Sequence, residues 1–134
     1  MSLQRIVVTG MGIVSPLGCG VGPVWQRLLA GASGIRPLAE EVVADLPVKI
    51  GGVVPTLAED PEAGFDVDQA VPVKEQKKMD RFITFALGAA KEALAQAGWP
   101  PETDAQRERT ATVIASGIGG FPAIANAVTT TEQR

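Results

Sequence analysis

The 134-residue chain is 46 % hydrophobic and 20 % charged, with a formal net charge of −3, which sets it apart from disordered and fibrous proteins and fits one globular domain. A sequence pI of about 4.9 argues against a whole-chain electrostatic grip on nucleic acid. One cysteine and no histidine exclude an internal disulfide framework, a Cys-rich or His-ligated metal site and any Ser–His or Cys–His catalytic pair built within these residues.

In chain order, Met1 to Arg5 run straight into Ile6-Val7-Val8, too short an apolar run for a secretory leader. No stretch approaches the roughly 20 apolar residues of a membrane helix, so a soluble cytoplasmic protein with no membrane contact is expected. Arg5 to Gly10 reads as a strand buried on both faces. A loop rich in glycine follows, from Ile13 to Gly20. Val24, Trp25, Leu28 and Leu29 have helical spacing, and Gly31 stops that helix. Ser33 to Pro37 is expected to be a turn. Val48 to Val53 suits a short strand, and the acidic stretch Glu59 to Asp68 a surface loop. Pro47, Pro55, Pro61 and Pro72 forbid a long helix between residues 38 and 73.

The clearest element is a helix over Lys74 to Gly98. Met79, Phe82, Ile83, Ala86, Leu87, Ala90 and Leu94 repeat at i, i+3, i+4, i+7, and Gly98, Pro100 and Pro101 end it. Thr110 to Ala115 is a second buried-strand candidate. Phe121 to Arg134 is weakly helical. The result is α/β, a mostly parallel sheet with helical crossovers, with residues 5–10 and 110–115 as neighbouring strands and the Met79, Phe82, Ile83, Ala86 face packed on them. Two strong strands leave such a sheet unfinished.

Several residues invite functional readings. Gly10-Met11-Gly12 after a strand suits a dinucleotide pyrophosphate. Against this, Ser15 and Pro16 stand where a third glycine and a helix start belong, and glycines that allow close backbone packing explain the cluster more simply. Ser116-Gly117-Ile118-Gly119-Gly120 lacks the Lys-Ser/Thr of a phosphate loop and presents Ile118 as a short apolar wall. Lys74, Lys77, Lys78 and Arg81 form a basic stripe on the first turns of the long helix. Cations there oppose the helix dipole, so the stripe reads either as a partner site or as an ordinary solvated face. Cys19 has no base to activate it and reads as a small loop cysteine. Trp25 and Trp99 have core-like neighbours.

Four stretches, RIVVTGMGIVSPLG (5–18), WQRLLAGASGI (25–35), KEQKKMDRF (74–82) and ASGIGG (115–120), together resemble the N-terminal part of the β-ketoacyl-[acyl-carrier-protein] synthases, the condensing enzymes of bacterial fatty-acid synthesis. The resemblance implies a thiolase-like α/β fold of which residues 1–134 are an incomplete N-terminal part, truncated before the catalytic cysteine, with the catalytic histidines farther on. It also implies a decarboxylative condensation through a cysteine nucleophile and a backbone oxyanion site, and no catalytic residue within this chain, Cys19 included. Lys74, Lys77 and Lys78 would bind acyl carrier protein, and Ile118 would gate the acyl pocket. No metal or cofactor is implied, since phosphopantetheine arrives on the carrier, and full-length members are expected to be homodimers. A dinucleotide-binding domain, a non-catalytic carrier-protein module and a chain-length-factor type partner are the competing readings.

Overall fold

The computed structural model describes residues 5–133. Strands β1 (Val14–Ser15) and β2 (Gly18–Cys19) pair antiparallel about Pro16 and Leu17, with Val14 opposite Cys19. Ser15 ties this turn, its hydroxyl donating to the Gly18 carbonyl and accepting from the Leu17 N–H, both at 3.2 Å. Helix α1 (Val21–Leu29) carries Pro23 in its first turn, where a missing N–H breaks no helical bond. Strand β3 (Ile35–Pro37) pairs antiparallel with β4 (Ile50–Gly52), across the short helix α2 (Glu40–Val43). The prolines keep α3 (Val67–Ala70) and α4 (Val73–Gln76) to four residues each. Helix α5 (Arg81–Ala97) ends at Gly98, which takes the left-handed C-cap at φ 59°, a conformation that favours glycine. Helix α6 (Asp104–Glu108) begins in a capping box between Thr103 and Gln106. Helix α7 (Phe121–Glu132) starts with a proline in its first turn.

Packing centres on α5, against which α3 and β1 lie. Phe65 meets Phe85 edge to face, with ring centroids 4.9 Å apart. Val43 and Val71 are fully buried, and Val24, Ala63 and Ala70 are buried as well. The one buried polar side chain among the described residues, Thr84, donates to the Arg81 carbonyl at 2.7 Å and so leaves no unsatisfied group. Gly10 and Gly12 rest directly on α5. A Cβ at either position would overlap the carbonyl oxygen of Ala93 or Ala89, so this cluster serves close backbone packing.

The expected parallel sheet is not formed. Both strand pairs are antiparallel, and the parallel link among the described residues is the single bridge Thr56–Phe65. Residues 5–10 and 110–115 are not strands, so no crossover joins them. Their composition is that of buried strands, but a ladder needs neighbours to supply hydrogen bonds and covering layers. Ile6 and Val113 instead stand 94 % and 90 % exposed. Within the expected 33–37 turn, Ile35–Pro37 is strand. Of the expected packing face of α5, Phe82 is exposed, and Trp25 and Trp99 also lie at the surface. The indole of Trp99 donates to the Thr110 hydroxyl at 3.2 Å.

The long helix starts at Arg81, not Lys74. Lys78 and Met79 donate their N–H groups to the carbonyls of Glu75 and Gln76. These tight i to i−3 bonds close a helical corner, and the extended Asp80 then opens α5.

Candidate functional site

The corner at residues 73–80 carries the lysines. Lys74, Lys77 and Lys78 are all exposed, but they do not form one stripe on one helix. Lys78 pairs with Glu75 at 3.0 Å. Neither Lys74 nor Lys77 makes an ion pair among the described residues. The break also changes their electrostatic setting. Lys77 caps the C-terminal end of α4 rather than standing in the first turn of α5, and a cation at a helix C-terminus is favourable. Arg81 leaves the group. Its guanidinium lies 5.1 Å over the Phe85 ring and donates to the Val54 carbonyl at 3.3 Å.

Ile118 lies elsewhere in the chain, in a turn closed by a hydrogen bond from the Gly119 N–H to the Ser116 hydroxyl at 3.0 Å. It is 76 % exposed. The turn nevertheless reaches the lysine corner. Gly120, before α7, sits so close to the Asp80 carboxylate that a side chain there would overlap it. The corner and the Ile118 turn thus meet at the N-terminal end of α5.

Cys19 borders an open cavity of about 580 Å3, beside Phe65, Ala70, Lys91 and Glu92. Burial pushes its thiol pKa up, and the negative charges of Glu92 and Asp60 push it further. That is the reverse of what an activated nucleophile needs. Glu92 is committed to the backbone. Its carboxylate accepts from the N–H of Val21 at 2.7 Å and of Ile13 at 3.0 Å. One turn on, the Gln96 side-chain oxygen accepts from the Met11 N–H at 2.6 Å. A pyrophosphate at Gly10 to Gly12 would need such backbone donors, and here they face a glutamate and an amide. The N–H groups of Met11, Ile13 and Val21 are therefore already engaged within the chain. No group of three His, Cys, Asp or Glu could hold a metal ion among the described residues.

The acidic loop is pinned as well. Asp60 accepts from both terminal nitrogens of Arg27, Nη2 to Oδ1 at 3.1 Å, and from the backbone of Ala63 at 3.1 Å and Glu62 at 3.3 Å. Arg27 also donates to the Leu17 carbonyl at 2.8 Å. The bond from Arg27 lowers the Asp60 pKa to about 2, with the neighbouring N–H groups assisting against partial burial.

The family described as "Beta-ketoacyl synthase, N-terminal domain" matches residues 3–134. This chain belongs to that family. Over 125 residues it is 45 % identical to a protein of Rhizobium meliloti (strain 1021) named 3-oxoacyl-[acyl-carrier-protein] synthase 2, covering 93 % of this chain and 30 % of the relative. A protein of the same name from Coxiella burnetii is 38 % identical, with 91 % and 27 % covered. A mitochondrial 3-oxoacyl-[acyl-carrier-protein] synthase of Arabidopsis thaliana is 37 % identical, with 90 % and 28 % covered. The chain thus spans about 30 % of the length of these curated relatives. Membership implies a thiolase-like α/β fold, of which the chain forms a small α/β part with short antiparallel strand pairs.

Glu92, Gln96, Gln76 and the Arg27–Asp60 pair carry much of this geometry and had no counterpart in the sequence reading. Glu92 lies 79 residues from Ile13, and Arg27 lies 33 residues from Asp60. No spacing rule links such pairs. For α6 a local signal did exist, the Thr-x-x-Gln of its capping box.

Proposed function

We propose that these residues are the N-terminal portion of a 3-oxoacyl-[acyl-carrier-protein] synthase acting in fatty-acid elongation. In that reaction an acyl group passes from carrier phosphopantetheine to a cysteine thiolate. Malonyl carrier protein then loses carbon dioxide, and its carbanion attacks the acyl thioester, expelling the thiolate. The nucleophile and the groups assisting decarboxylation belong to sequence outside these 134 residues, so the chain alone is inactive in this reading. The observation that carries the proposal is the 45 % identity over 125 residues to a synthase 2.

Within the chain, the lysine corner is the part that meets the partner. Acyl carrier protein is small and acidic, and exposed cations steer such a partner to its docking site. Lys74 and Lys77 suit that task because no carboxylate among the described residues engages them. The whole chain carries a net charge of −3, so the local arrangement of these lysines has to act against a mildly repulsive background. Ile118 would line and gate the acyl pocket, joined to the corner through the Asp80–Gly120 contact. The full-length enzyme would be a cytoplasmic homodimer that needs no metal or cofactor beyond the phosphopantetheine its partner brings.

The test uses a full-length synthase carrying this sequence at its N-terminus, with Lys74→Glu and Lys77→Glu combined. KM for carrier-bound substrate should rise about tenfold or more, equivalent to about 1.4 kcal/mol. Turnover of a small acyl thioester without carrier should hold, and added salt should weaken the wild-type interaction. Equal losses on both substrates would make the corner structural. No loss on either would make it a plain solvated surface.

A further inference from the structure

The lysines are displayed by an element too short to hold itself. Helix α4 has four residues, far below the length at which a helix persists in isolation. Its orientation must therefore come from contacts outside it. Val73, the one large apolar residue on α4, is 64 % exposed and supplies little. The side-chain amide of Gln76 supplies more. Its nitrogen donates to Asp68 Oδ1 at 2.8 Å and to the Val71 carbonyl at 2.9 Å, and the Val67 carbonyl lies 3.5 Å away. A primary amide has two N–H donors, and both are spent on these bonds. The receiving structure is firm. Val71 is 1 % exposed, and its own N–H closes α3 on Val67. Gln76 stands between Lys74 and Lys77 and fastens their turn to the end of α3.

We propose that Gln76 is a positioning residue for carrier-protein docking, holding Lys74 and Lys77 in a fixed, outward geometry without touching the partner. The proposal rests on the docking role assigned above to the lysine corner. Without the amide, the turn keeps its charges but loses its tether. Docking then has to order the turn as well as bring the charges together, and affinity falls by that ordering cost. The groups that carry the chemistry are unchanged. Asp68 is the counterpart in this arrangement and accepts one of the two bonds.

The experiment measures carrier-bound substrate and a small acyl thioester on the full-length synthase carrying this sequence. Gln76→Ala should raise KM for the carrier-bound substrate about fivefold, the scale of one net hydrogen bond, with kcat and the small-thioester kinetics unchanged. Gln76→Glu should do at least as much harm, because a carboxylate cannot donate and would face Asp68 and a carbonyl. Asp68→Ala should give a smaller rise, and the double variant should match Gln76→Ala alone, as expected for residues acting through one contact. Lys77→Glu is run alongside. If it leaves the carrier KM unchanged, the docking role itself fails, and this inference with it. If Lys77→Glu acts while Gln76→Ala does not, Gln76 alone is misassigned. Equal loss on both substrates for Gln76→Ala would make it a fold-supporting residue and overturn the proposal.

Discussion

Asp60 shows how one carboxylate can order a loop that reads as featureless. The stretch from Glu59 to Asp68 is acidic and interrupted by Pro61 and Gly64, yet Asp60 gathers two guanidinium donors and two backbone N–H groups. These donors favour the ionised form, so the carboxyl pKa falls from 3.8 to about 2. The sign of the linkage follows. A depressed pKa means the contact contributes fully above the ordinary carboxylate value of 3.8, and the contribution is lost as pH falls from there through about 2. Glu59 is lowered in the same direction by the N–H and hydroxyl of Thr56, so its contacts also weaken as pH falls. A carboxyl-selective NMR titration should place the Asp60 midpoint near 2. Arg27→Ala should move it back towards 3.8. A midpoint unchanged by Arg27→Ala would show that the backbone donors alone hold it down.

At the scale of elements, α5 does for the Gly10–Val21 segment what a neighbouring strand does in a sheet. Met11 and Ile13 are two residues apart, so their N–H groups point the same way, as on a strand edge. Gln96 and Glu92 are four apart on one face of α5 and accept those two bonds. Replacing Glu92 with Ala should speed amide hydrogen exchange at Ile13 and Val21 by about tenfold or more, since hydrogen bonds to a charged group contribute about 1.5–3 kcal/mol each. Met11, held by Gln96, should change least. Uniform acceleration across the whole segment would mean that Glu92 supports the fold at large. The same elements show what sequence can carry. The ends of α1 and α5 were legible because Gly31 and Gly98 act locally, and Ile50–Gly52 was legible from its own composition. The start of α5 was not, because apolar and basic residues keep a helical period straight through the Lys77–Asp80 corner. Residues 5–10 and 110–115 read as strands yet form none, because a ladder depends on partners that no local pattern supplies. The single basic stripe read from the spacing of Lys74, Lys77, Lys78 and Arg81 is broken by the corner, and the bonds of Gln76 to Asp68 and Val71 are tertiary contacts that no local pattern announces.

The molecule as a whole is poorly covered. Its accessible surface is 10633 Å2, against about 6,700 Å2 for a compact monomer of 13.9 kDa. Large apolar side chains contribute to it. Ile6, Val113, Ile114 and Ile118 are mostly exposed, and Phe121, Ile124 and Val128 form an apolar stripe at i, i+3, i+7 along α7, each at least half exposed. Under the proposed function the rest of a synthase would cover these residues. In the isolated chain they face water, and contiguous apolar surface of that extent drives association, which a net charge of −3 does little to oppose. Sedimentation at micromolar concentration should therefore find species heavier than 13.9 kDa. Phe121→Ser, Ile124→Ser and Val128→Ser together should shift the distribution towards monomer, because they remove one continuous stripe. Reversing Lys74 and Lys77 should leave it unchanged, because the corner is polar and lies on a different element. A single 13.9 kDa species with a cooperative melt would show instead that these residues close a core of their own, and that the exposed stripe on α7 is tolerated without a partner.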